Sequence, residues 1–269
     1  IDESAVPIYQ YSDLSGMHPD YKKIPYPRVG DPVPMAKIGI VEIKKGKTTW
    51  ADIPLAGGFF PRIYWTSDPQ KLAVVHLDRK QKKLDLYMVN RKTGQAGSTM
   101  QEDSKGWMDI FNFFSGIMHH FFFPKNVNEY YWISDRDGYQ HVYRYDYNGK
   151  MLGQVTKGDW DVMTVESVDP QTRLLYYTST EASGLERHLY KINLDGSGKT
   201  QITTTHGRHI IQFAPGGGFF IDTWSNTQMP KQVEIRNTDG VLKKSWQTNE
   251  GVKAFVQAHA YAPKELKSI

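Results

Sequence analysis

His188-Leu189-Tyr190-Lys191-Ile192-Asn193, followed by Leu194-Asp195-Gly196, is an extended segment running into a tight turn. His188, Tyr190 and Ile192 alternate with Leu189, Lys191 and Asn193, the two-residue period of a strand whose faces meet different surroundings. Asp195-Gly196 then offers the left-handed backbone a short hairpin needs. The pattern occurs four more times. Its other copies are Lys37-Ile38-Gly39-Ile40-Val41-Glu42-Ile43 to Gly46, Leu84-Asp85-Leu86-Tyr87-Met88-Val89 to Gly94, His141-Val142-Tyr143-Arg144-Tyr145-Asp146 to Gly149, and Gln232-Val233-Glu234-Ile235-Arg236-Asn237 to Gly240.

The turn glycines are separated by 48, 55, 47 and 44 residues. That period fits a four-stranded propeller blade and is too long for ankyrin or leucine-rich repeats. A second mark keeps phase with the first: an aromatic strand ending in serine, at Tyr131-Trp132-Ile133-Ser134, Tyr176-Tyr177-Thr178-Ser179 and Asp222-Thr223-Trp224-Ser225. These serines precede their glycines by 15, 17 and 15 residues. The expected fold class is therefore all-β, a β-propeller with about five blade repeats. Tyr64-Trp65-Thr66-Ser67 is out of phase with this serine mark, so it is expected to be a strand at a different position in its blade.

Composition agrees. The 269 residues hold 16 Tyr, 12 Phe, 23 Gly and 14 Pro, which favours strands and turns over helical bundles. A net charge of +4 without a basic block gives no electrostatic support for a nucleic-acid partner. The most apolar stretch, from Asp109 to Pro124, is broken by Asn112, His119 and His120, so no membrane span is expected and the reading is of a soluble protein. The chain opens at Ile1 without a charged start and an apolar run, so any targeting segment is expected to lie outside it. With no cysteine, thiolate nucleophiles, disulfides and cysteine-ligated metals are excluded.

Residues 1–35 fall outside the repeat. Pro7, Pro19, Pro25, Pro27, Pro32 and Pro34, interleaved with Tyr9, Tyr11, Tyr21 and Tyr26, describe an extended arm or blade insertion. It reads either as a surface loop or as an arm that buries its tyrosines against a partner. Residues 36–250 are assigned to the blades, and 251–269 to a connection toward a further domain.

Other motifs give way to simpler readings. Gly196-Ser197-Gly198-Lys199-Thr200 resembles the end of a phosphate-binding loop, but Asn193 stands where the first glycine is required and a β-branched run replaces the helix, so a hairpin turn is expected. His119-His120, His206 and His209 lack a recognised ligand spacing, and no metal or cofactor is expected. No Gly-x-Ser-x-Gly elbow is present, so this chain cannot complete a serine hydrolase of the α/β type.

Five stretches, in order and spacing, resemble the propeller region of the dipeptidyl peptidase IV family of serine peptidases. They are Asp2-Glu3-Ser4-Ala5-Val6-Pro7, Pro25-Tyr26-Pro27-Arg28-Val29-Gly30, Ser134-Asp135-Arg136-Asp137-Gly138-Tyr139-Gln140-His141-Val142-Tyr143, Thr156-Lys157-Gly158-Asp159-Trp160-Asp161-Val162 and Glu186-Arg187-His188-Leu189-Tyr190. The resemblance implies the later part of an eight-bladed propeller. It further implies a C-terminal α/β-hydrolase domain on the same parent chain, carrying the catalytic triad beyond Ile269. The implied substrates are peptides with Pro or Ala at the second position, and the implied setting is periplasmic or secreted.

The family's adjacent glutamates, which hold the substrate ammonium, have no counterpart here, since the chain contains no Glu-Glu. Gly106-Trp107-Met108-Asp109-Ile110-Phe111-Asn112 resembles the family's Gly-Trp stretch, which implies that Phe111 forms an apolar wall of the extended substrate pocket; it also reads as one more core aromatic. Related enzymes dimerise partly through an extension of this blade, which implies a homodimer contact through Tyr9, Tyr11, Tyr21 and Tyr26. Arg136 and Arg187 are expected to be tied to carboxylates, and Trp160 to pack between blades. The resulting reading is a non-catalytic segment that gates and orients peptides and supports dimerisation; the alternative is a stand-alone propeller that binds a protein or glycan.

Overall fold

A computed structural model describes residues 1–54, 57–108, 110, 120–259, 262 and 265, and Phe111, the expected pocket wall, lies outside them. The chain divides into two compact units, Ile1–Asp109 and Ile110–Ile269.

In the first unit, β1 (Ile8–Asp13) and β2 (Asp20–Pro25) form a separate antiparallel hairpin, and β3 (Gly39–Glu42) pairs with β4 (Lys47–Trp50). A four-stranded antiparallel meander follows, made of β5 (Phe59–Trp65), β6 (Lys71–Leu77), β7 (Lys83–Asn90) and β8 (Ala96–Asp103). Ile53, Leu72, Val74 and Val89 are its buried apolar centre, with Ile38, Ile40 and Ala51 laid against them from the β3–β4 side.

The second unit holds three more meanders of the same form. They are β9 (Phe121–Phe122) to β12 (Met151–Gln154) through β10 (Glu129–Ser134) and β11 (His141–Asp146); β13 (Val162–Asp169), β14 (Leu174–Ser179), β15 (His188–Asn193) and β16 (Thr200–Gln201); and β17 (Arg208–Phe213), β18 (Phe219–Ser225), β19 (Gln232–Asn237) and β20 (Leu242–Gln247). Helix α1 (Glu250–Ala258) closes the series and buries none of its residues. Among the described residues the chain is all-β apart from that helix.

The repeat maps onto this order. Four of the five copies are the third strand of a four-stranded sheet, and the first copy is β3 of a two-stranded one. The serine-ending strands are the second strands β10, β14 and β18, whereas Tyr64-Trp65 closes β5, a first strand. All five turn glycines have left-handed φ, from 64° at Gly46 to 87° at Gly149. At Gly240 the fit is steric as well as conformational, because an added Cβ would lie 2.8 Å from the Ile202 carbonyl oxygen of the preceding sheet.

Adjacent sheets of the second unit share two apolar layers. One joins Tyr131, Ile133 and Val142 to Val165, Leu175 and Tyr177; the next joins Tyr176, Leu189 and Ile202 to Ile211 and Phe220. Trp160 lies in the first layer, stacked on Tyr177 at 5.9 Å and edge-on to His141 at 5.0 Å, so it does pack between two sheets. A polar latch repeats in the second unit. Thr156 Oγ1 accepts the Val142 N–H at 2.9 Å and lies 3.1 Å from His141 Nδ1; Thr203 does the same for Leu189 and His188, at 2.9 and 3.2 Å. Each latch pins the connection that follows a sheet's fourth strand to the start of its third, and it satisfies polar groups that would be costly to bury unpaired.

Candidate functional site

Two regions present functional groups outward. The first is the β1–β2 arm. Its register sets Tyr9 opposite Ile24 and Tyr11 opposite Lys22, with Ser12 opposite Tyr21. Strand alternation therefore puts Tyr9 and Tyr11 on one face and Tyr21 on the other, so the four tyrosines do not make one patch. Tyr26 joins the first group: its ring lies 5.9 Å from Tyr9, whose other contact is the Arg28 guanidinium at 4.8 Å from the ring centroid. Tyr9, Tyr11, Tyr21 and Tyr26 are between 39% and 61% exposed, and Ile8, Leu14 and Met17 more so, a concentration of apolar surface left uncovered among the described residues. Lys22 and Asp13 pair at 2.5 Å across the hairpin and hold the arm's shape.

The second region is formed by the β14–β15 and β16–β17 connections. Glu186 sits between two histidines: one carboxylate oxygen is 3.0 Å from His188 Nε2 and the other 3.0 Å from His206 Nδ1. Burial pushes the Glu186 pKa up, but the bonds and charges of the two histidines outweigh it and leave the carboxyl below its ordinary value. His209, buried behind this pair, is bonded to Asp222 at 2.8 Å and to the Thr205 carbonyl at 2.9 Å. Of the histidines noted in the sequence, His206 is thus engaged by a carboxylate and His209 by a carboxylate and a carbonyl, while His120 lies against the Trp132 ring and His119 is outside the described residues. Among the described residues no group of three ligating side chains could hold a metal ion. The sequence marks Glu186 only as part of a family stretch, and its sharing by two histidines arises only when the β16–β17 connection is brought beside it.

Gly196-Ser197-Gly198 is the β15–β16 turn, in which Asp195 accepts bonds from the Ser197 N–H and hydroxyl. It is a hairpin and not a phosphate cradle. Arg136 bonds to Ser134 Oγ at 3.0 Å and to the Tyr145 hydroxyl at 2.9 Å while lying over the Tyr143 ring. Arg187 donates to the carbonyls of Gly184 and Glu186, at 3.0 and 2.6 Å, where a carboxylate was expected. Among the described residues no helix is long and apolar enough to cross a membrane.

The chain is 26% identical over 275 residues to the "Probable dipeptidyl peptidase 4" of Aspergillus flavus and 27% identical over 251 residues to the "Dipeptidyl peptidase 4" of Trichophyton rubrum. These alignments cover 97% and 86% of the chain but only 35% and 31% of the relatives, so the chain spans about a third of their length. The crystal structure of Porphyromonas gingivalis dipeptidyl peptidase 4 superposes with a TM-score of 0.85 at 27% identity, over 98% of this chain and 37% of that one. Residues 1–231 match the family described as the dipeptidyl peptidase IV (DPP IV) N-terminal region, and it is to this family of propeller segments that the chain belongs.

Proposed function

We propose that the chain is the non-catalytic propeller segment of a dipeptidyl peptidase IV-like serine peptidase, where it gates and orients peptide substrates. The observation that carries this is the family match over residues 1–231 in a chain that spans about a third of relatives named dipeptidyl peptidases. The absence of a Gly-x-Ser-x-Gly elbow from the chain agrees with a division of labour in which an α/β-hydrolase domain of the parent supplies the nucleophile. Peptides with Pro or Ala at the second position are the substrates, Phe111 contributes an apolar wall to their pocket, and the setting is periplasmic or secreted. The arm supports a homodimer, a role that its exposed Tyr9, Tyr11 and Tyr26 face suits.

The test has two parts. The purified 269-residue chain is expected to release no p-nitroaniline from Gly-Pro-p-nitroanilide, whereas the full parent protein does. In the parent, Tyr9→Ser with Tyr11→Ser is expected to shift sedimentation from dimer toward monomer without altering the thermal midpoint. Turnover by the chain alone, or an inert parent, overturns the division of labour; an unchanged dimer overturns the role of the arm.

A further inference from the structure

The β14–β15 and β16–β17 connections are joined by backbone hydrogen bonds, Arg187 N–H to the Gly207 carbonyl at 3.3 Å and His209 N–H to the Arg187 carbonyl at 3.0 Å. These make a parallel bridge whose register partners are Arg187 and Arg208. Register partners project from the same face of a ladder, so the main chain brings two guanidinium groups side by side. The backbone at this point has little freedom to relieve the repulsion. Gly207 has φ of +145° and its Cα is pressed against the end of β18, where an added Cβ would lie 2.5 Å from the Ser225 carbonyl oxygen.

The acids around the pair are already committed. Glu186 is shared by His188 and His206, Asp222 is bonded to His209, and Asp161 accepts the Gln140 N–H at 2.8 Å through one oxygen. Arg187 spends one guanidinium nitrogen on two carbonyls. Arg208 is exposed and, among the described residues, is in no ion pair. Burial, and then the charge of Arg208, lower the Arg187 pKa, with Asp161 only partly opposing them. Two forked donors with uncommitted N–H groups, held together against their own repulsion, are complementary to a planar anion that takes a bond from each.

We propose that Arg187 and Arg208 form a receptor for the carboxylate of a peptide, either its C-terminus or an acidic side chain. The choice of a peptide carboxylate over other anions rests on the peptidase reading above; the arginine pair itself does not. Neither arginine would then act on the bond that is cut: they would anchor a remote part of the ligand and fix its direction.

The test is titration of the 269-residue chain with tetra-alanine as the free acid, with tetra-alanine amide, with acetyl-Ala-Glu-Ala-amide and with inorganic phosphate, followed through the arginine Nε–Hε resonances at low salt. The free acid is expected to shift the Arg187 and Arg208 signals and to bind at least about tenfold more tightly than the amide, as a charge-assisted pair requires. A response to the glutamate peptide as well would make acidic side chains a second source; a response to the free acid alone would restrict the site to the terminus. Arg208→Gln, at an exposed side chain that holds no part of the fold, is expected to abolish the preference, while Lys23→Gln on the arm leaves it intact. Equal binding of acid and amide, a response to phosphate alone, or an unaltered Arg208→Gln variant overturns the proposal. A parent protein that cleaves Gly-Pro-p-nitroanilide while the chain ignores carboxylates would overturn this inference and leave the peptidase reading standing.

Discussion

His209 Nδ1 lies 2.8 Å from Asp222 Oδ1, and the two side chains are 2% and 0% exposed. The pair ties the first strand of the last sheet to its second, since the β17–β18 register sets His209 beside Trp224, one residue pair from the Ile210–Thr223 step. The second carboxylate oxygen is also 3.6 Å from Arg236. Replacing Asp222 by Ala would leave the buried Nδ1 of His209 without its partner, although Nε2 keeps the Thr205 carbonyl, and would leave Arg236 with Glu234 and the Gly240 carbonyl. The expected cost is about 3 kcal/mol in urea unfolding. Asp222→Asn, which keeps an acceptor in place, is expected to cost clearly less; equal losses would show that volume and not hydrogen bonding matters there.

The turn glycines differ in what they touch. Gly240→Ala must both hold φ near +84° and place its Cβ against the Ile202 carbonyl, whereas Gly46→Ala meets the same backbone demand with nothing within 4 Å. Thermal unfolding should show a loss of roughly 1 kcal/mol at Gly46 and on the order of 2–3 kcal/mol at Gly240. Equal losses would mean that the close approach of the sheets contributes nothing.

Glu129 and Arg144 face each other across the β10–β11 pair with two bonds of 2.6 Å. The Arg144 bonds hold the Glu129 carboxyl below its ordinary value of 4.5, against the effect of burial. A carboxyl with a lowered folded pKa lends stability above about pH 4.5, and this is lost as the pH falls through the lowered value. Urea midpoints measured from pH 6 down to pH 3 should therefore decline in the wild type, with Glu129→Gln starting lower and declining less. Parallel curves would remove Glu129 from the acid response.

Glu166 has the opposite sign. Burial raises its pKa, and the bonds from Thr164 at 2.5 Å and Thr178 at 3.1 Å do not compensate. Its folded pKa lies above the unfolded one, so its contribution is complete in acid and is lost as the pH rises through the raised value. Glu166→Gln keeps both threonine bonds without the charge. The variant should gain on the wild type in thermal midpoint as the pH is taken from 4.5 to 8, and a constant difference would contradict the buried-acid account.

Much of this fold is legible in the residues because two independent marks share one period. The glycine mark reports a local backbone demand, and the Tyr131-to-Ser134 class of strand reports burial on both faces, as β10 and β14 confirm with nearly every residue enclosed. The first copy was harder to place, since Lys37–Ile43 carries the same alternation as the others yet pairs in a two-stranded sheet. Pattern within a strand does not count its neighbours. The arm was legible as an insertion, but its faces were not, because proline and tyrosine content says nothing about register. The bond partners of Arg187 and the sharing of Glu186 between two histidines were invisible for a different reason: residues 186 and 206 meet only through a turn of the whole sheet.

The steric fit of Gly240 under Ile202, and of Gly196, where an added Cβ would lie 3.2 Å from the Val155 carbonyl oxygen, also bears on how such a chain can change over evolutionary time. A residue inserted into these third-to-fourth-strand turns would wedge neighbouring sheets apart, so their lengths are expected to be frozen among descendants. The hairpin at residues 8–25 touches no such constraint. Its length, and with it the choice of what the molecule meets, is free to drift.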